Sequence, residues 1–190
     1  MEILKTRRDI VPPDRPGVRP GVFLDGHSFR SAVNTRAYVT GLVRLDTPLT
    51  PITESSLRLS ASNSPVPIYG WLPTGTNGPL YWYCESPRVF LNGDTADMFQ
   101  SFSALQTLDF TGISWSAGTT GADYMFEMCG NLTTIIAPGG TLTLSSSSGM
   151  FSGCSRLVGG AGTAYSSSHT DGTYARIDNP PDSPGYFTRG

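Results

Sequence analysis

The sequence predicts a mostly β protein: a short, capped solenoid of about three 25-residue units, preceded by a small β-segment and an extended N-terminal arm. Three observations carry this expectation. Charged residues make up only 15% of the 190 residues, while 22 are Gly and 15 are Pro. Ordinary domains carry roughly 25% charge, and an excess of turn-forming residues favours short strands over long helices. A pattern opening on Met-Phe recurs three times in the second half of the chain. Four prolines and four arginines crowd the first 21 residues, a composition that discourages regular structure.

The chain divides accordingly into an arm (1–21), a small β-segment (22–65) and a repeat domain with a C-terminal cap (66–190). In the arm, Arg7, Arg8, Arg15 and Arg19 are the candidate docking residues. Residues 22–65 contain short β-branched or aromatic runs, "GVFLDG", "RAYVTGLVRLDTPL" and "LRLSAS", broken by Gly and Pro. In residues 66–91, "LPTGTNGP" is turn chemistry between two aromatic strands.

The repeat is read by aligning "MFQSFSALQTLDF" (98–110), "MFEMCGNLTTIIA" (125–137) and "MFSGCSRLVGG" (150–160). The copies start 27 and 25 residues apart. Met98, Met125 and Met150 are followed at +4 by Phe102, Cys129 and Cys154, and at +7 by Leu105, Leu132 and Leu157. Offsets of 0, +4 and +7 share one face of a helix, so these nine residues are expected to form a core ladder. Each unit is expected to be a helical turn, a strand and a loop, stacked because one unit cannot bury its apolar face alone.

These units resemble the BspA-like leucine-rich repeats of bacterial surface proteins, through "ADMFQSFSALQTLDFTG", "GADYMFEMCGNLTTI" and "GMFSGCSRL". "YWYCESPRVFLNGD" resembles the entry to such arrays, and the segment from Leu157 to Thr188 resembles their closing cap. The resemblance covers about residues 66–188. It implies a leucine-rich-repeat solenoid used for binding, often adhesion, without catalysis. The sequence departs from the family in having few units, in its inter-repeat segments and in carrying Phe102 at the usual first cysteine position.

Candidate sites are few. Cys129 and Cys154 stand 25 residues apart without paired ligands nearby, so buried thiols are expected in place of a metal site. A disulfide between stacked units is the alternative in an oxidising setting, although three cysteines do not make a disulfide framework. His27 and His169 are the only histidines, and "SSSHTDG" contains no nucleophile elbow. Asp94, Asp97, Asp109 and Asp123 lack a calcium-loop pattern, and Asp97 and Asp123 are expected to cap short helices. No cofactor is expected. Tyr69, Trp71, Tyr81, Trp82 and Tyr83 cluster before the repeats, and strand alternation puts Tyr81 and Tyr83 on one face and Trp82 on the other. One face is expected to pack, and the other is a candidate binding platform.

The expected function is therefore non-enzymatic binding or structural display. A net charge of −2 gives no general attraction to nucleic acid. No apolar run approaches the roughly 18 residues of a membrane span, and the N-terminus has no secretory apolar core. A display repeat without an export signal fits a bacteriophage virion component released by lysis, as a head fibre, decoration or receptor-binding part. Other virion proteins would bind the arm, a host surface protein or glycan would be the outer partner, and the protein would be a homo-oligomer. The alternative is a bacterial cell-surface adhesin.

Overall fold

The second half of the chain is organised by its Met-Phe copies. A computed structural model describes residues 17–190. In it Phe99, Phe126 and Phe151 stack face to face, with centroids 5.8 and 5.6 Å apart and planes within 10° and 16°. The backbone repeats the same spacing. The N–H groups of Asp97, Phe99 and Ser101 donate to the carbonyls of Asp123, Met125 and Glu127. Those of Tyr124, Phe126 and Met128 donate to Ser148, Met150 and Ser152. The intervening Met98, Gln100 and Phe102 bond locally, three residues back. Alternate amides thus point to the next copy, which a helix does not allow.

Left-handed residues produce this alternation. Asp97, Ser101, Tyr124 and Met128 have φ between 56° and 63°, and Gly149 and Gly153 hold the matching positions of the third copy at 59° and 76°. The helical turn expected from the 0, +4, +7 spacing is therefore corrected. All nine ladder residues are buried, but from a chain of tight turns, and Phe at +1 is buried with them. Glycine is needed in the third copy because a Cβ on Gly149 would lie 2.7 Å from the ring of Tyr124.

The expected mostly β solenoid is also corrected. The described residues form four separate small sheets, 27% strand with 7% helix, a mixed α/β arrangement in which no solenoid is recognised. The reason lies in the third copy. Strands β7 (Thr107–Asp109) and β9 (Thr134–Ile136) follow the first two copies and pair in parallel. The third copy reaches Gly159 instead, where an added Cβ would sit 2.1 Å from the Gly185 carbonyl oxygen. The rung beside β9 comes from the far end of the chain, as β11 (Phe187–Thr188), which sets Phe187 against Ile135, itself opposite Leu108 on the other side. The strand rung is thus lost after two copies, while the stacked turns continue into the third. A second parallel pair, β8 (Thr120–Gly121) and β10 (Leu144–Ser146), joins the segments between copies.

The first half is built differently. Strand β1 (Gly21–Val22) pairs in parallel with β6 (Val89–Phe90). Helix α1 (Gly26–Ala32) follows, capped by Asp25, whose carboxylate accepts from the Ser28 amide at 2.9 Å. That hydrogen bond holds the Asp25 carboxyl below its usual range. The β-branched and aromatic composition of residues 22–65 predicts only strands here, so this helix is a departure from the expected β-segment. Four more strands, β2 (Val39–Arg44), β3 (Leu57–Arg58), β4 (Ile68–Trp71) and β5 (Gly78–Cys84), form a sheet in the order β2-β5-β4-β3. A single buried cluster runs from Phe23 to Phe187 across both halves. Phe29 of α1 meets the phenylalanine stack edge-on at Phe99, and Tyr186 does so at Phe151.

The closing segment is held by Asp178, which is 7% exposed. Its carboxylate accepts from the amides of Ala161, Thr163 and Gly185 and from the Thr163 hydroxyl, at 2.6–3.2 Å. Burial acts to raise its pKa, but these hydrogen bonds outweigh it and hold the carboxyl below its ordinary value.

Replacing Phe126, which has a stacked ring on each side, by Ala is expected to cost about 3–5 kcal/mol in urea unfolding. Asp178→Ala leaves three backbone donors without their acceptor and is expected to cost roughly 3 kcal/mol. Because the folded pKa of Asp178 is depressed, its stabilisation is complete above about pH 4 and is lost as pH falls through the folded value. Unfolding curves of the variant between neutral and acid pH are expected to lack this acid-side loss.

Candidate functional site

The aromatic cluster of the sequence becomes a surface through the pairing of β4 with β5. The strands run antiparallel with Tyr69 opposite Tyr83, Trp71 opposite Tyr81 and Gly70 opposite Trp82. Side chains alternate across a strand. Ile68, Leu80, Trp82 and Cys84 therefore enter the core, while Tyr69, Trp71, Tyr81 and Tyr83 stand half-buried on the other face. The inner face is crowded: a Cβ on Gly70 would fall 2.5 Å from Leu59. The outer face continues with Val43 beside Tyr81 on β2 and Arg58 beside Tyr69 on β3.

One outer aromatic is fixed by a loop. Trp71 Nε1 donates to Thr50 Oγ1 at 2.8 Å. The same loop exposes Leu49 and Ile52, at 42% and 38%. Burial, reinforced by Glu85, raises the Tyr83 phenol above its ordinary pKa. Directly opposed aromatic pairs reinforce a sheet. Their amphipathic rings also supply contact area with hydrogen-bonding ends at low entropic cost.

Trp82 belongs to the core. It is 1% exposed, with Phe23 edge-on at 5.3 Å and the Arg44 guanidinium 4.8 Å from its ring centroid. The sheet thus separates the five predicted aromatics into four outer residues and one inner residue. Sequence reasoning missed Thr50, Val43 and Arg58. Val43 and Arg58 are signalled only by pairing across strands, and Thr50 only by a loop contact distant in sequence, so no spacing within one segment carries them.

Other candidates have structural employment. Cys84, Cys129 and Cys154 are free and buried. The thiols of Cys129 and Cys154 each donate, at 3.0 Å, to the carbonyl of the phenylalanine one copy earlier, Phe99 and Phe126. Burial pushes Cys129 up to about 12 and Cys154 upward as well, which suppresses thiolate chemistry. The capping role expected of Asp97 and Asp123 is corrected, because neither precedes a helix. Asp97 occupies a left-handed turn position, and Asp123 accepts from the Ser148 amide of the next copy. Asp94 and Asp109 bind amides two residues onward. His169 stacks on Tyr174 at 4.3 Å. Among the described residues, no three His, Cys, Asp or Glu side chains are grouped to hold a metal, and no helix is long and apolar enough to cross a membrane.

Of the arm residues, Arg7, Arg8 and Arg15 lie outside the described residues. Arg19 is exposed, and its carbonyl accepts from Ser86 Oγ at 2.7 Å. Arg88 Nη1 binds the Val18 carbonyl, and Gly21 pairs with Val89. Residues 18–21 are thus attached to the body of the protein.

Comparison with protein-family models, curated proteins and solved structures finds no match.

The two faces of the sheet are expected to respond oppositely to truncation. Trp82→Ala should cost about 3–5 kcal/mol, whereas Trp71→Ala should shift the urea midpoint by the equivalent of about 1 kcal/mol or less.

Proposed function

We propose that this protein is a non-enzymatic binding protein that engages a glycan through the outer face of its four-stranded sheet. The observation that carries this reading is the opposed quartet of Tyr69, Trp71, Tyr81 and Tyr83, half-exposed on a backbone that cannot rearrange without disturbing Trp82. Flat aromatic faces with polar rims suit ligands that are apolar on one side and hydroxylated on the other. The shifted titratable groups beneath the surface support a non-catalytic role: Asp178, Cys129 and Cys154 are committed to backbone hydrogen bonds.

The setting we propose is the surface of a phage particle, as a fibre or decoration component. The attachment of residues 18–21 supports it, because a docking arm preceding them would leave from a fixed point. A truncation that removes the arm while sparing the fold must end before Val18. Display on a bacterial surface would use the same aromatic face.

The reading is tested on a glycan array with the full chain and its Trp71→Ala and Tyr81→Ala variants. Saturable binding that falls about tenfold or more in both, while each variant stays folded with at most a small drop in thermal midpoint, is the expected outcome. Binding indifferent to both substitutions would remove the sheet face from the function.

A further inference from the structure

Sulfur lies almost entirely in the interior of this protein. Among the described residues, Met98, Met125 and Met150 are at most 1% exposed, and Cys84, Cys129 and Cys154 are buried. Met128 is the exception, at 61% exposed. It stands three residues after Met125, where the first copy has Ser101 and the third has Gly153. The 0, +4, +7 positions that bury the other three methionines therefore leave this one outside the core.

The turn fixes how Met128 is displayed. Its φ of 59° is left-handed, an uncommon conformation for a long side chain. Its N–H is committed to the Ser152 carbonyl of the next copy at 2.7 Å. The thioether rests beside that copy: a Cβ on Gly153 would lie 3.0 Å from Met128 Sδ. The backbone is thus tied down on a side chain that remains open to solvent.

We propose that Met128 is a reversible oxidation site for peroxides, at which one apolar surface side chain becomes a polar sulfoxide while the buried methionines and cysteines stay reduced. In the forward step a sulfur lone pair attacks one peroxide oxygen. The S–O bond forms as the O–O bond breaks, sulfur loses two electrons, and hydrogen peroxide leaves as water. In the reverse step a dithiol reductase takes the oxygen off as water and is left as a disulfide. Both methionine sulfoxide epimers are reducible in this way. A thioether needs no ionisation to react, so exposure sets its rate, and the contrast in burial makes Met128 the first to be oxidised. Thiols react as thiolates, and burial raises all three cysteines here, Cys129 to about 12. The site shares no residue with the aromatic face and does not rest on glycan binding.

The test exposes the full chain to hydrogen peroxide at neutral pH and follows its peptides by mass spectrometry, with fragmentation separating Met128 from Met125. Met128 is expected to gain oxygen at least about tenfold faster than Met98, Met125 and Met150. In urea-unfolded chain the four rates are expected to converge, which assigns the selectivity to the fold. Near-ultraviolet circular dichroism should persist while Met128 is converted, and methionine sulfoxide reductases with a dithiol donor should restore the original mass. Met128→Leu should remove the fast step. Equal rates in the folded chain, first oxidation at a cysteine or a buried methionine, native signal lost in step with Met128 conversion, or a sulfoxide that the reductases leave in place would each overturn the assignment.

Discussion

The structure depends on the stack of Phe99, Phe126 and Phe151. Near-parallel rings 5.6–5.8 Å apart fix the separation of three chain segments. At that separation alternate amides reach the carbonyls of the neighbouring copy. The same distance lets the thiols of Cys129 and Cys154 reach the preceding phenylalanine carbonyls, so one spacing satisfies aromatic, amide and sulfur partners together. Left-handed residues at two positions per copy keep the amides alternating. Where the third copy must also lie beneath Tyr124 and Met128, those positions are glycine.

A stack needs ends. The first is closed by Phe29, from a helix that Asp25 caps, and the last by Tyr186, from a segment that Asp178 gathers. Both ends use edge-to-face rings in place of a further parallel copy, which terminates the stacking direction. Two carboxylates therefore work at the limits of the array, both held ionised by hydrogen bonds. This spends the clearest perturbed acids on architecture and leaves binding to the surface. There the outer sheet face offers neutral aromatic rings.

Much of the core was legible in the sequence. The Met-Phe register identified nine residues that are all buried, and strand alternation placed Tyr81 and Tyr83 opposite Trp82, because both periodicities are local. The conformation carrying the repeat was not legible. An offset of 0, +4, +7 marks a helix face, but turns with left-handed residues at fixed positions bury the same offsets. Asp97, Ser101, Tyr124 and Met128 give little warning of positive φ, which only the hydrogen bonds to the next copy make tolerable. Helix α1 was missed for a related reason: a single turn or two, set by Asp25 and the burial of Phe29, is lost among β-prone neighbours.

By itself, the sequence determined which residues repeat, which are apolar and where turns fall, since these follow from residue type and spacing. Tertiary structure alone decided that the third copy has no strand and that Phe187 fills its place. It also decided that Tyr69, Trp71, Tyr81 and Tyr83 form one face. In each case the deciding partner lies far along the chain, and the contact follows from backbone approach and burial, which no local pattern encodes.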